Sequence, residues 1–151
     1  MNTNRGIWRG KTKPKSNGKA FRNGWVEGNL IQSGDKYYIH PISNLVNVQG
    51  KLGRLVVMHE VDPETLGECT GLRDKNGKLI FEGDIVRLIY DGDEKIFVVI
   101  WDHDELDFKA TNGKENYGAG GFQYLGCCEE IEVIGNVYDT PELLKGGENS
   151  A

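Results

Sequence analysis

Residues 61–86 read Val-Asp-Pro-Glu-Thr-Leu-Gly-Glu-Cys-Thr-Gly-Leu-Arg-Asp-Lys-Asn-Gly-Lys-Leu-Ile-Phe-Glu-Gly-Asp-Ile-Val and contain the turn chemistry that decides the fold. Asp62 is suited to cap a helical turn that begins at Pro63, since proline needs no N–H partner in the first helical position. Asn76 and Gly77 supply the positive φ values that a tight hairpin demands. Apolar runs on both sides of these turns therefore predict consecutive short strands.

Similar runs, rich in β-branched and aromatic residues and separated by turn residues, recur along the whole chain. We predict strands at residues 7–9, 24–32, 36–40, 54–59, 72–73, 79–81, 85–90, 96–101, 122–125 and 131–138. Residues 102–121 are predicted to be a polar connection anchored by Phe108 and Tyr117. Thr140 is predicted to cap a last helical turn at residues 141–144. Glycine accounts for 21 of the 151 residues, which is typical of many tight turns.

These elements predict an all-β protein with a few short helical turns. Consecutive antiparallel strands with short, glycine-rich connections favour a small SH3-like or related β-barrel over residues 61–145. Residues 1–60 are expected to form a second, N-terminal β subdomain with a basic loop at 11–23. Residues 146–151 are expected to be a frayed tail. A chain of 151 residues can bury a core without disulfides or metal.

Three ordered blocks of the chain resemble the YopX-like proteins of phages and prophages. The first is Ile-Trp-Arg-Gly-Lys at 7–11 with Gly-Trp-Val-Glu-Gly-Asn-Leu at 24–30, and the second is the stretch at 61–86. The third is Glu-Val-Ile-Gly-Asn-Val-Tyr-Asp-Thr-Pro-Glu-Leu-Leu at 132–144. The chain departs from the family in a longer, more basic loop at 11–22 and in Cys69, where an aromatic residue is common. The resemblance implies a phage or prophage origin, favours self-assembly and brings no catalytic residues.

The residues of the family signature have a mainly structural interpretation. Gly71, Gly77 and Gly83 permit tight backbone geometry, and Asn76 tolerates left-handed φ. A binding surface is the alternative interpretation. The signature comprises Asp62, Pro63, Thr70, Gly71, Asp74, Asn76, Gly77, Glu82, Gly83, Asp84, Gly135 and Pro141.

The net charge of −5 hides a division along the chain. Residues 1–26 hold seven basic and no acidic side chains, so the remainder holds 11 basic and 23 acidic groups, or −12. The basic segment could solubilise a loop, contact a neighbouring subunit, or bind nucleic acid. Trp8 and Trp25 could stack on bases, but both lie in predicted strands and are expected to be core. The predicted subunit or nucleic-acid contact residues are Arg9, Lys11, Lys13, Lys15, Lys19 and Arg22.

Two groups of side chains contain atoms of the kinds that bind metal ions. Residues 102–107 hold four acidic side chains and His103, but their spacing does not match a Ca²⁺ loop, so a solvated acidic loop is favoured. Cys69, Cys127 and Cys128 lack the paired spacing of zinc sites, and we expect buried, inert thiols. We therefore assign no metal and no cofactor. No nucleophile motif or phosphate loop accompanies the histidines, so catalysis has no positive support.

The sequence shows no signal peptide and no apolar run of about 20 residues. Three cysteines without framework spacing fit a reducing compartment. We expect a cytoplasmic protein of a bacterial host cell, phage- or prophage-encoded, with no membrane partner. Its expected function is that of a self-assembling structural or interaction protein, helped by exposed strand edges. A nucleic-acid-binding module is the alternative.

Overall fold

The computed structural model describes residues 6–13, 24–41, 58–114, 118 and 120–144. This part of the chain is nearly all-β, as predicted, with 3₁₀ turns at Pro63–Thr65 and Leu125–Cys127 and a helical turn at 142–144. None of its helical segments is long and apolar enough to cross a bilayer. The strands are β1 Ile7–Lys11, β2 Trp25–Ser33, β3 Lys36–Pro41, β4 His59–Val61, β5 Gly67–Arg73, β6 Leu79–Phe81, β7 Asp84–Tyr90, β8 Asp93–Asp102, β9 Asp107–Thr111, β10 Phe122–Tyr124 and β11 Glu130–Asn136.

The chain divides into two compact units, Met1–Cys69 and Thr70–Ala151. The first sheet has the strand order β4-β3-β2-β1-β5-β6, and β5 runs across the boundary between the units. Within the first unit, β2 and β3, which were both predicted as strands, form a hairpin in which Ser33 pairs with Lys36. The core of this unit consists of Val26, Ile39 and Val61, with Trp8, Leu30, Tyr37 and Leu66 packed against them.

The edge of β4 is covered by the residues that follow β1. Asp62 N donates to Lys11 O at 2.8 Å, Lys13 N donates to Glu60 O at 3.1 Å, and Thr12 forms a β-bridge with Val61. The adjoining turn confirms the predicted cap, because the Asp62 carboxylate accepts a bond from the Glu64 backbone N–H at 3.0 Å. Most of the predicted strand at 54–59 lies outside the described residues, and β4 begins at His59.

The second unit contains a five-stranded antiparallel sheet with the order β10-β9-β8-β7-β11. Strands β7 to β10 form an antiparallel meander that includes β9, a strand that was not predicted, and β11 returns to lie beside β7. The predicted small β-barrel is not closed, since β10 and β11 are the two ends of this sheet. The outer edge of β11 is bonded instead to the turn after β5: Lys75 N donates to Ile131 O and Val133 N donates to the Asp74 carboxylate, both at 2.9 Å.

The core of the second unit corrects one element of the sequence interpretation. Residues 107–111, predicted to belong to a polar connection, form β9 and pair with β8. Phe108 and Ala110 are buried on the core face of β9. This core comprises Ile80, Val86, Leu88, Phe97, Val99, Phe108, Ala110 and Leu125.

The hairpin turn at Asn76 and Gly77 does not have the positive φ that was predicted for both residues. Asn76 has no positive φ, whereas Gly77 has φ +83° and donates to Asp74 O at 2.9 Å. This geometry is a type I turn followed by a glycine bulge, so only the glycine needs the left-handed region. Positive φ at both central residues occurs instead at Asp91 (+49°) and Gly92 (+79°), between β7 and β8.

The helical turn at 142–144 lies where the sequence predicted it, but its cap differs. The Thr140 hydroxyl accepts a bond from Asn136 N at 3.1 Å and donates to Asn136 O at 3.2 Å. It therefore closes the turn after β11 rather than capping the helical turn. A register shift between Val133 and Gly135 marks a β-bulge in β11, and a Cβ at Gly135 would overlap the Thr140 hydroxyl.

Candidate functional site

A buried lysine at the centre of β9 is the most unusual side chain of the second unit. Lys109 is 2% exposed and lies between Ile100 of β8 and Tyr124 of β10. A buried ammonium is tolerated only when anionic partners compensate for lost hydration. Its Nζ lies 2.7 Å from Asp102 Oδ2 and 3.0 Å from Glu105 Oε2, so two carboxylates supply that compensation.

Aromatic rings complete the surroundings of this ammonium. The Lys109 Nζ lies 4.6 Å from the centroid of the Phe122 ring and 5.3 Å from that of Tyr124. The two rings meet edge to face, and the Tyr124 hydroxyl donates to Glu105 Oε2 at 2.8 Å. We call Lys109, Asp102, Glu105, Phe122 and Tyr124 the Lys109 cluster. Attraction between a cation and an aromatic face adds to the ion pairs that hold it.

The electrostatics of the Lys109 cluster keep it ionised at neutral pH. The hydrogen bond from Lys109 and a backbone N–H bond from Glu105 lower the pKa of Asp102 to about 2. The bond to Asp102 raises the pKa of Lys109 above its ordinary value, while bonds from Tyr124 and Lys109 lower that of Glu105. A general acid or base works best with a pKa near the operating pH. The cluster is therefore suited to holding structure rather than to proton transfer.

The structural consequence of the cluster is a fixed turn between β8 and β9. We call residues 103–106 the tip. The Asp102 Oδ1 accepts the backbone N–H groups of Asp104 at 2.8 Å and Glu105 at 3.1 Å, while its Oδ2 binds Lys109. One carboxylate thus fixes both the backbone of the tip and the buried ammonium. The tip ends at Leu106, which has φ +54° and is 71% exposed.

Replacing Lys109 with methionine is expected to loosen the tip and lower the melting temperature of the protein by several degrees. Because the folded-state pKa of Asp102 is depressed, the stability it contributes is present above pH 4 and is lost as the pH falls toward 2. Because the pKa of Lys109 is raised in the folded state, the stability that Lys109 contributes is lost only at alkaline pH, above the ordinary lysine pKa of about 10.4. In thermal melts from pH 2 to 8, the melting temperature should fall less steeply toward acid pH in Lys109→Met than in the wild type. Equal declines would contradict the assigned ion pairs.

The acidic run around the tip is only partly the solvated loop that the sequence predicted. Asp102 and Glu105 both pair with Lys109, but Glu105 is exposed, as are His103, Asp104 and Asp107. Within the described ranges, no three His, Cys, Asp or Glu side chains are grouped closely enough to hold a metal ion. Two acids of this run thus hold the buried Lys109, and the run as a whole still presents an acidic surface to solvent.

The three cysteines are free thiols in different surroundings. Cys69 is buried, as predicted, but the expectation of burial is wrong for the exposed Cys127. The 3₁₀ turn explains this difference, because it points Leu125 into the core while Cys127 faces outward. Burial and the neighbouring Cys127 raise the pKa of Cys128 to about 11, so this thiol is less reactive than an ordinary one.

The described part of the basic segment is organised around Trp25. The Arg9 guanidinium lies 4.9 Å and the Lys11 ammonium 5.5 Å from the Trp25 ring centroid, and Arg9 is only 5% exposed. Lys13 forms an ion pair with Glu60 at 3.2 Å. Trp8 packs on the core, as expected, whereas Trp25 is half-buried beneath these cations. The contact function of these residues stays a prediction, and Lys15, Lys19 and Arg22 lie outside the described residues.

The signature residues lie mainly at turns and strand ends. The buried Thr70 hydroxyl donates to Ile80 O at 2.8 Å, and the Asp84 carboxylate accepts a bond from Phe81 N at 2.8 Å. The Asp74 carboxylate accepts three backbone N–H bonds, one of them from Asn76. Positive φ values occur at Gly71, Gly77 and Gly83, Pro63 begins the first 3₁₀ turn, Glu82 precedes β7, and Pro141 precedes the last helical turn.

A family model establishes the protein family to which the chain belongs. The family model described as YopX protein matches residues 19–145. The chain belongs to the YopX protein family. No curated protein matches it. The YopX match contains the Lys109 cluster, the tip and residues 61–86, whereas Arg9, Lys11, Lys13 and Lys15 precede it.

Proposed function

We propose that this YopX-family chain is a phage- or prophage-derived protein that acts in the cytoplasm of a bacterial host by assembling with further copies of itself. The opposite net charge of its two units carries the proposal. The unit Met1–Cys69 has 10 basic and 6 acidic side chains, or +4. The unit Thr70–Ala151 has 8 basic and 17 acidic side chains, or −9.

Opposite charges on two units favour contacts between unlike surfaces of neighbouring copies. Such complementarity steers association and fixes orientation more than it adds affinity. A contact between unlike surfaces is heterologous, and repeated copies then close into a ring or extend as a filament. A structural or interaction protein built in this way needs no catalytic site.

The exposed strand edges that the sequence predicted as an aid to assembly are mostly short or covered in the described residues. The edge of β4 is covered by residues 11–13, and the edge of β11 is bonded to the turn containing Asp74 and Lys75. The remaining end strands of the two sheets, β6 and β10, have three residues each. Short or covered edges discourage pairing with another chain. The proposed assembly therefore depends on side-chain surfaces rather than on strand addition.

Size-exclusion chromatography with light scattering tests this function. At tens of micromolar protein and about 0.1 M salt, we expect a multimer free of 260 nm absorbing material. It should dissociate at about 1 M salt, where the Debye length falls from roughly 10 to 3 Å. A monomer under the low-salt condition would contradict the proposal.

Nucleic-acid binding is the second candidate, favoured by seven basic and no acidic side chains in residues 1–26. The variant in which Lys11, Lys13, Lys15 and Lys19 are all changed to glutamine should bind DNA and RNA more weakly. In a plot of log affinity against log salt concentration, the slope should become less steep by about 0.9 for each lysine that contacts a phosphate of a duplex. Unchanged binding to single- and double-stranded DNA and RNA would remove this candidate. A chromatographic peak with bound material that absorbs at 260 nm and is removed by high salt would make nucleic-acid binding the favoured function.

A further inference from the structure

Neither the backbone nor the core explains the leucine at the tip between β8 and β9. Leu106 has φ +54°, and 71% of its surface is exposed. A leucine in the left-handed region is strained, because its Cβ lies too close to the following carbonyl oxygen, and glycine adopts this conformation without that contact. An exposed leucine also gains nothing from the core. Backbone strain of this kind is found disproportionately at functional sites.

The tip is rigid before any partner arrives. Asp102 binds the backbone N–H groups of Asp104 and Glu105, and Lys109 joins the Asp102 and Glu105 carboxylates. The Tyr124 hydroxyl holds Glu105 from β10. A side chain presented by a preorganised turn loses little conformational entropy on binding. The Lys109 cluster therefore acts as the support for an exposed apolar contact residue.

The charges around the leucine identify the chemistry of its partner. Asp104 and Asp107 are exposed on either side of Leu106, so a complementary surface is apolar and bears cations. The described residues of the first unit offer such a surface. There the half-buried Trp25 ring carries the Lys11 ammonium, 5.5 Å from its centroid.

We propose that Leu106 of one copy packs against Trp25 of a second copy, with Asp104 of the first copy facing Lys11 of the second. This contact rests on the self-assembly proposed above and identifies the two surfaces through which the copies would meet. It joins the negative unit of one copy to the positive unit of the next. Because the two surfaces differ, each copy can use both of them at the same time.

The variant Leu106→Gly separates assembly from folding. Glycine relieves the positive-φ strain, so the variant should melt at a higher temperature than the wild type. Removing the leucine side chain from the proposed contact should weaken self-association by about 10- to 30-fold in Kd, measured by light scattering over a concentration series. A variant that is both more heat-stable and less associated cannot owe its dissociation to unfolding. Leu72→Ala, which alters a leucine that is 39% exposed, serves as the matched control and should assemble normally.

Exchange of the proposed ion pair gives an independent measurement. Asp104→Lys and Lys11→Glu should each weaken assembly, and the double variant should recover it, because opposite charges again face each other. Asp93→Lys makes the same charge change at the opposite end of β8, about 30 Å away, and should leave assembly intact.

The outcomes separate this contact from the function on which it rests. If the wild type assembles and Leu106→Gly assembles equally well, the contact is overturned while self-assembly stands. Failure of the double charge exchange to restore assembly beyond its single variants overturns the pairing of Asp104 with Lys11. A monomeric wild type at low salt overturns both the assembly and the contact.

Discussion

Replacing Gly28 with alanine is expected to destabilise the first unit strongly. Gly28 lies in β2 and pairs with Pro41 of β3. A Cβ at this position would overlap the carbonyl oxygen of His40 and lie 2.7 Å from its carbonyl carbon. All of these atoms belong to the backbone of β3, which is paired on both sides by β2 and β4. No rotamer change can relieve such an overlap.

The expected cost is at least about 3 kcal/mol, the upper part of the range for overpacking. That is a large fraction of the roughly 5–15 kcal/mol by which domains are stable. Urea unfolding followed by tryptophan fluorescence measures the effect, since Trp8 and Trp25 lie in the first unit and Trp101 in the second.

Gly126→Ala is the matched control for this substitution. Gly126 has no atom within 4 Å of an added Cβ and no positive φ. This alanine should be neutral or stabilise the protein by about 0.5 kcal/mol through a reduced entropy of the unfolded chain. A wild-type unfolding midpoint for Gly28→Ala would show that β2 and β3 do not approach each other as described.

Local turn chemistry explains why much of the fold could be predicted from sequence. The Asp62 cap and the hairpin between β2 and β3 depend on residues only two or three positions apart. The Asp91–Gly92 turn is likewise local, and its two positive φ values match the preference of an Asp-Gly pair. Asn76 shows the limit of this reasoning. An Asn-Gly pair fits both a two-residue type I′ hairpin and a longer hairpin made of a type I turn and a glycine bulge. The loop after β5 has the extra residue of the longer hairpin.

The Lys109 cluster could not be predicted because its bonds depend on the register of a hairpin and on a third strand. Lys109 meets Asp102 across a hairpin, and Tyr124 reaches Glu105 from a third strand. In sequence, Lys109 interrupts the apolar residues of β9 and makes a largely buried strand resemble a polar connection. One available signal was the pattern Asp-Phe-Lys-Ala-Thr at 107–111, in which Phe108 and Ala110 alternate with polar residues. That alternation indicates a strand, but not the carboxylates that bury its lysine.

Replacing Asp74 with alanine is expected to destabilise the second unit by about 3–4 kcal/mol. Its carboxylate accepts the backbone N–H groups of Asn76, Lys78 and Val133, each at 2.9 Å, and the residue is 8% exposed. Each poorly solvated N–H that loses its acceptor costs about 1 kcal/mol or more. The bond to Val133 also ties the turn after β5 to the edge of β11.

The pH dependence of this carboxylate has a definite sign. Burial raises the pKa of Asp74, but the N–H bonds from Val133, Lys78 and Asn76 together lower it below its ordinary value. A depressed folded-state pKa contributes stability that is complete above the unfolded pKa of about 3.9 and is lost as the pH falls through the folded value. The difference in urea midpoint between the wild type and Asp74→Ala should therefore be largest near pH 7 and shrink below pH 4.

Asp74→Asn distinguishes the hydrogen bonds from the charge. Asparagine can still accept the Asn76 and Lys78 N–H groups, but its amide N–H would face that of Val133. We expect an intermediate loss of stability with a weaker dependence on acid pH than in the wild type. If the asparagine and alanine variants were equally unstable, the bond to Val133 would account for the whole effect. The principal role of Asp74 would then be to hold the turn against β11, where this bond and the bond from Lys75 N to Ile131 O cover the edge of the sheet.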